Sequence, residues 1–225
     1  MFLIEDFLSQ KARSDLNQLL APIEYVDGSR TAGSVGGKVK RSLECDPRHP
    51  NYAKANDLIR QALVGCEALQ LYAFPHKVTP VLFSRYTTGM KYGEHYDAAL
   101  MGIPGGVLRT DLSFTVFLSS PDEYDGGELV VSAMDVEKWV KPKAGELYVY
   151  PSGQRHRVNE VTRGIRNVAV GWIQSVYAIP EQRQVLRDLA VVSGWIFSTQ
   201  GKTAEFDLLN GVDIQLSRLW ANPSG

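Results

Sequence analysis

The triplet His95-Tyr96-Asp97 constrains the fold more than any other stretch of the chain. In an extended strand, successive side chains point to opposite faces, so His95 and Asp97 aim at one point. A third candidate ligand, His156, lies far along the chain and reaches that point only if distant strands fold back over it. Two imidazoles and one carboxylate on one face of a metal leave the three opposite positions open, room for a chelating co-substrate and for O₂. Arg166 follows His156, and its planar guanidinium can grip a second carboxylate through two parallel hydrogen bonds.

The triplet alone is weak, because a surface turn with a solvated His and Asp gives the same letters. The company it keeps is what carries weight. His156 and Arg166 are an even number of residues apart (166 − 156 = 10) and fall in two strand-like runs, Gln154–Val158 and Ile165–Gln174. Between them Asn159–Gly164 reads as a polar, glycine-containing connection. A hairpin closing there places Arg166 on the strand beside His156 with both side chains inward. A solvated strand arginine and a satisfied barrel histidine are the plain alternatives. Taken in this order, the four residues suggest an Fe(II)/2-oxoglutarate dioxygenase. A cupin-like isomerase with a Zn²⁺ or Mn²⁺ site, or a barrel that binds metal without turnover, are the rival readings. Neither gives Arg166 anything to hold.

The remaining sequence fits a barrel between helices. Runs at Val78–Tyr86, Asp111–Ser119, Glu128–Ser132, Glu146–Tyr150, Gln154–Val158 and Arg166–Ser175 are rich in β-branched and aromatic residues. Gly126-Gly127 and Pro151-Ser152-Gly153 read as turns between them. Many short antiparallel strands around an inward cluster predict a mainly β fold with a double-sheet jelly roll. Phe2–Leu20 and Asn51–Tyr72 read as helices. Pro180–Asn222 reads as two more, broken near Ser198–Lys202. The expected division is residues 1–77 as a helical segment packed on the barrel, 78–177 as the core and 178–225 as a C-terminal helical segment. Leu209, Val212, Leu216 and Leu219 follow a heptad-like seam, which packs on the chain's own barrel or on a second subunit. Gly28–Lys40, rich in Gly, Ser and Lys, includes a faint phosphate-loop likeness at Gly33–Lys38. The spacing is wrong for one, and Val39 stands where Ser or Thr belongs. A surface loop at the mouth of the site is the better reading.

Composition excludes several classes. Of 225 residues, 44% are hydrophobic and 22% charged, ordinary values for a globular protein with a sizeable core. A net charge of −1 argues against a partner bound through nucleic-acid phosphates. No stretch approaches the ~20 apolar residues of a membrane span, and the N-terminus has no secretory pattern. Cys45 and Cys66 form neither a metal pair nor a disulfide framework, and Cys66 in a helical apolar pattern reads as a reduced core thiol. The expectation is a cytoplasmic protein. His49 and His76 lie in turn-like contexts. Arg163, at odd spacing from Arg166, should face away from the site.

The flanking motifs sharpen the reading. Tyr86-Thr87-Thr88-Gly89 precedes the triplet, and Arg109–Ser113, Asp122–Leu129, Tyr150-Pro151-Ser152 and Trp172–Ser175 follow it. With the HxD, GGEL, YPS…H and TRGxR elements in this order, the chain closely resembles the PKHD-type hydroxylases. These are bacterial relatives of the prolyl 4-hydroxylase branch of Fe(II)/2-oxoglutarate oxygenases. The resemblance covers essentially the whole chain. It implies a double-stranded β-helix, iron ligands at His95, Asp97 and His156, and a 2-oxoglutarate anchor at Arg166. Tyr86 resembles the tyrosine lining the co-substrate pocket, though a core phenol with a tethered hydroxyl reads the same way. Also implied are L-ascorbate as reductant and a small-molecule or peptide substrate, prolyl-type or related to siderophores and iron uptake. DNA-repair members carry a further arginine on the last strand, where this chain has Gly171-Trp172-Ile173-Gln174.

Overall fold

The computed structural model describes residues 1–32, 36–133 and 136–222. In chain order the elements are β1 (Phe2–Ile4), α1 (Gln10–Leu20), β2 (Tyr25–Asp27), α2 (Gly36–Val39), β3 (Lys40–Arg41), β4 (Leu43–Cys45), α3 (Pro50–Gly65) and α4 (Glu67–Ala73). Then come β5 (Pro75–Val78), β6 (Leu82–Thr87), β7 (Lys91–His95), β8 (Leu100–Ile103), β9 (Gly106–Arg109), β10 (Leu112–Phe117), β11 (Tyr124–Gly126) and β12 (Leu129–Ala133). The last are β13 (Val136–Val140), β14 (Leu147–Pro151), β15 (His156–Val158), β16 (Val161–Ser175), α5 (Pro180–Gln200) and α6 (Ala204–Trp220).

Two antiparallel sheets form the jelly roll. The larger runs β1-β14-β10-β16-β6-β4-β2, with β5 and β11 also paired to β16. The smaller runs β13-β12-β15-β7-β3, and β8-β9 stands apart as a two-stranded ribbon.

Strand alternation divides the larger sheet's side chains between two cores. Leu112, Phe114 and Val116 of β10, Leu147 and Val149 of β14, and Ala169 and Ile173 of β16 face outward into one cluster. Leu16, Leu20, Ile59, Leu63, Leu69 and Ala73 of α1, α3 and α4 complete it. Each such side chain, fully buried, contributes about 1.5–3 kcal/mol, so the helical cover is a main source of stability. Gly171 belongs to this outer face for steric reasons: a Cβ there would lie 2.6 Å from Phe114. The intervening residues, Phe117, Tyr148, Tyr150 and Val168 among them, face inward with Leu129, Val131 and Val158 of the smaller sheet.

The sequence expectations differ from the structure at several places. Phe2–Leu20 is not one helix: Phe2 to Ile4 pair with β14, and Ser9, whose side chain accepts from the Ala12 N–H at 3.2 Å, starts α1. Gly28–Lys40 carries a 3₁₀ turn at Gly28–Thr31, whose Asp27 cap accepts from the Ser29 N–H at 2.9 Å, and then α2. Its residues 33–35, half of the stretch with the phosphate-loop likeness, lie outside the described residues.

The largest difference concerns Arg166. β15 pairs with β12 and β7, whereas β16 pairs with β10, β6, β11 and β5, so the two strands belong to opposite sheets. Asn159 and Glu160 turn a corner between the sheets; the Asn159 N–H donates to Glu128 O at 3.0 Å and the Gly127 N–H to Glu160 O at 3.2 Å. Arg166 therefore faces His156 across the barrel instead of sitting beside it. The even spacing still brings both inward.

In α6 the packed side runs through Phe206, Leu209, Leu216 and Trp220, while Val212 is 39% and Leu219 76% exposed. This helix has apolar residues on every side, so heptad spacing could not choose the face. Its docking is set by the Phe206–Phe197 ring contact and by the Tyr177 hydroxyl, 3.0 Å from Ser217 Oγ.

The corner at Gly164 yields a test. Gly164 has φ +77°, and a Cβ there would lie 2.0 Å from the Glu123 carbonyl oxygen. A side chain forced into that backbone region costs on the order of 1–3 kcal/mol before the clash is added. Gly164→Ala should lower the urea midpoint with an unchanged m-value. A midpoint equal to the parent's would show that this corner tolerates the strain by moving.

Candidate metal and co-substrate site

His95 ends β7, and His156 opens β15. The two strands pair with His156 opposite His95, so both imidazoles project from one ladder rung. Asp97 follows two residues on, and the ligand-type atoms of His95, Asp97 and His156 all lie within 4.8 Å of one another, a group that could hold a metal ion.

Each imidazole is oriented through its own backbone. His95 Nδ1 lies 2.8 Å from Gly93 O and His156 Nδ1 lies 2.9 Å from Gln154 O. A carbonyl can only accept, so Nδ1 carries the proton and Nε2 presents a lone pair inward. Burial, with the neighbouring His156 as second cause, lowers the His95 pKa to about 4. Its imidazole is neutral at physiological pH, the form that binds metal. Tyr92 stacks flat on His95 with centroids 3.6 Å apart, and Tyr150 meets His156 edge-on at 5.1 Å. Asp97 Oδ1 lies 3.7 Å from His156 Nε2 and 4.0 Å from His95 Nε2. Its Oδ2 accepts from the Ser113 hydroxyl at 2.6 Å.

Arg166 lies on the inward face of β16, 1% exposed. Its Nε and Nη1 are buried without a hydrogen-bond partner, and among the described residues no carboxylate pairs with it. The guanidinium carbon sits 5.1 Å from the Tyr86 ring and 5.3 Å from the Phe117 ring. Ring contacts of this kind contribute roughly 0.5–2 kcal/mol each, while two of the buried ion's nitrogens keep donors with no acceptor. The cation is therefore under-compensated. Gly127, at φ +66°, makes room for its stem, since a Cβ there would lie 3.0 Å from Arg166 Cδ.

The triad, Arg166 and Tyr86 line one cavity of about 350 Å³. Arg163 points away and pairs with Asp125 at 2.7 Å. His49 caps α3, its Nδ1 accepting from the Asn51 N–H at 3.1 Å. Cys45 is buried, Cys66 half-buried, and both are free thiols. No helix among the described residues is long and apolar enough to cross a membrane.

The sequence alone assigned no individual role to five residues the structure brings here. Lys40 lines the cavity and forms a buried ion pair with Glu44, joined by Thr31, whose Oγ1 lies 2.9 Å from Lys40 Nζ. Ser113 and Ser152 stand behind Asp97, their hydroxyl oxygens 2.8 Å apart. A polar residue at an inward position of an apolar strand was the available signal for Ser113. Nothing local marked Lys40, whose partners depend on the path of the preceding turn.

The family model of the 2OG-Fe(II) oxygenase superfamily matches residues 81–174. A PKHD-type hydroxylase of Rippkaea orientalis is 42% identical over 210 residues, covering 92% of this chain and 94% of its own length. One from Maricaulis maris is 42% identical over 208 residues, covering 92% of each. Among solved structures, a Trichoplax adhaerens prolyl hydroxylase bound to a hypoxia inducible factor peptide fragment matches with TM-score 0.54 and 14% identity. That match covers 82% of this chain and 86% of the other. HygX of Streptomyces hygroscopicus, solved with nickel, 2-oxoglutarate and hygromycin B, matches with TM-score 0.51 and 12% identity over 78% of this chain and 83% of its own. At these identities the structural matches establish the jelly-roll fold alone. The chain is a member of the 2-oxoglutarate- and Fe(II)-dependent oxygenase superfamily. Within that class, the chain belongs to the PKHD-type hydroxylases.

Arg166→Met should leave the metal-free protein as stable as the parent or more so. Removing an under-compensated buried cation relieves its desolvation cost, whereas most core substitutions cost ~0.5–3 kcal/mol. A thermal midpoint several degrees below the parent's would mean the guanidinium is already satisfied by the fold.

Proposed function

We propose that His95, Asp97 and His156 hold Fe(II) and that Arg166 anchors the far carboxylate of 2-oxoglutarate, for hydroxylation of an unactivated C–H bond. The single observation that carries this reading is Arg166: a buried cation lacking an anion, in the cavity that also holds the triad. The donor set fits the metal, with two imidazole nitrogens and one free carboxylate oxygen. Arg166 fits a planar carboxylate, and its two-bond grip orients the keto acid end toward the triad.

When bound, iron and 2-oxoglutarate activate O₂, with release of succinate and CO₂ and transfer of one oxygen to substrate. The chain's own residues do the rest. Gly93 and Gln154 carbonyls hold the imidazole tautomers, Tyr92 and Tyr150 fix the ring planes, and Arg166 holds the co-substrate. Tyr86, 4% exposed with its ring against Arg166, lines the co-substrate end. Inward Leu129, Val158, Val168 and Val170 keep that end dry. L-ascorbate is the reductant we assign for returning stray Fe(III) to Fe(II), a role that suits a reducing cytoplasm.

For the substrate we favour a prolyl-type group, in a peptide or small molecule; a siderophore-like compound of iron uptake is the second class. Support comes from the place of the PKHD-type hydroxylases beside the prolyl 4-hydroxylase branch. A screen of 2-oxoglutarate decarboxylation against both classes, with product mass as readout, separates them. We also read the exposed apolar side chains of α5 and α6, such as Trp195, Phe197 and Leu219, as a contact between subunits. Deleting the segment after Gly201 should then change the sedimentation coefficient; an unaltered subunit count would remove the idea.

Anaerobic Fe(II) with 2-oxoglutarate should give a weak visible charge-transfer band, and Asp97→Ala should abolish it. An unchanged band in that variant eliminates the triad. Arg166→Lys keeps the charge but loses the planar grip. At ~1.5–3 kcal/mol per charged hydrogen bond, its KM for 2-oxoglutarate should rise tenfold or more, with Fe(II) affinity nearly unchanged. Parent-like binding of 2-oxoglutarate by both Arg166→Lys and Arg166→Ala would place the anchor elsewhere.

A further inference from the structure

We propose that Ser113 and Ser152 form a positioning relay that restricts Asp97 to one-oxygen metal ligation. The inference rests on the metal assignment above and extends it to residues with no role so far.

Ser113 lies on the inward face of β10 and Ser152 just past β14, each 2% exposed. The Ser113 hydroxyl is 2.6 Å from Asp97 Oδ2 and 2.8 Å from Ser152 Oγ. A hydroxyl has one proton, and an ionised carboxylate only accepts. Ser113 therefore donates to Asp97, and Ser152 must donate to Ser113. The direction of the relay is fixed by these counts. Donation from Ser152 polarises Ser113 and strengthens its bond to the carboxylate. A short O–H···O⁻ bond of this kind is among the stronger hydrogen bonds a protein makes.

Both serines are held by backbone pairing. Ser113 sits opposite Tyr150 on one side and Trp172 on the other, and the Ser152 N–H donates to Asp111 O at 3.2 Å. The relay is thus tied to the larger sheet, while both imidazoles come from the smaller one.

The consequence concerns coordination number. With Oδ2 occupied by Ser113, Oδ1 is the oxygen facing the two Nε2 atoms, at 3.7 and 4.0 Å. A carboxylate free to rotate can chelate through both oxygens and take two metal positions. With two histidines, that leaves two positions instead of three. A bidentate keto acid and O₂ together need three. Ser113 thereby preserves the open face. Ser113 lines the cavity and acts on the metal through Asp97, so its role here is that of a positioning residue.

The test is Co(II) titration of the full-length protein, read by visible d–d absorption, for the parent, Ser113→Ala, Ser113→Thr, Ser152→Ala and Asp97→Ala. Thermal midpoints of the metal-free forms report folding separately. Loss of an outer-shell partner commonly lowers metal affinity ~10–100-fold, and Ser113→Ala should fall in that range with an altered d–d spectrum. Ser152→Ala should move both readouts in the same direction by less. Ser113→Thr, which keeps the hydroxyl, should restore the parent's spectrum. Parent-like affinity and spectrum in Ser113→Ala overturns the relay, and so does a folded Ser113→Thr that behaves like the alanine variant. Asp97→Ala separates the two levels. If it binds Co(II) as the parent does, the metal assignment fails; if it loses Co(II) while Ser113→Ala does not, only the relay fails.

Discussion

The rung that pairs His95 with His156 is the constraint on which the site depends. Antiparallel pairing sets the two side chains on one face at a fixed separation, and Asp97, two residues past the end of β7, brings its carboxylate to the same point. A slip of one residue in this ladder would turn one imidazole out of the barrel and leave the triad with two members. The register is held by the larger fold. β15 is clamped between β12 and β7, and β12 carries Leu129 and Val131 into the inner core. Moving the ladder by one position would expose those apolar side chains, so the energy of the inner core also fixes the geometry of the ligands.

Arg166 reaches the same space from the opposite sheet, and this division has a physical use. The His95/Asp97/His156 cluster and Arg166, the metal ligands and carboxylate anchor proposed above, are carried by independent ladders, so the gap between them is set by sheet-to-sheet packing. Such packing is close to rigid, because both sheets are covered with interdigitated side chains. On the proposed reading, a keto acid spanning the gap would meet partners whose separation is already fixed, which removes ordering cost at binding. The under-compensated guanidinium is the other side of this arrangement: its burial costs stability that a bound carboxylate would relieve.

The motifs were legible in the sequence where the chemistry is local. His95 and Asp97 share a face by alternation alone, and Arg166 faces inward by parity with His156. Parity could not say which sheet carries Arg166, because Asn159–Glu160 can close a hairpin or turn a corner with the same residue types. The structure selects the corner through hydrogen bonds from Asn159 to Glu128 and from Gly127 to Glu160, which are long-range. The short strands β1 to β4 were missed for a related reason. Two or three residues show no periodicity, and they are strands only because a neighbour's edge is there to pair with. Ser113 was visible as a residue and invisible as a partner, since Asp97 reaches it across the barrel.

Substrate choice belongs to parts that the two sheets do not determine. The same architecture in other proteins accommodates a peptide fragment in one case and hygromycin B in another. In this chain the cavity wall beyond the metal end is built by Thr31, Ala32 and Gly36 from the turn before β3 and by Tyr96, Ala98 and Met101 leading into the β8-β9 ribbon. Lys40 anchors the first of these walls through a buried ion pair with Glu44. Replacing buried ion pairs by apolar residues is often neutral or stabilising, so stability alone is a weak account of this one. It also ties down Thr31, whose hydroxyl bonds both Lys40 and Glu44, and Thr31 lines one side of the cavity. The ladders thus position the candidate site, while the outer cavity wall is built by short segments outside them. This is why family membership identifies the reaction and leaves the substrate to the cavity wall.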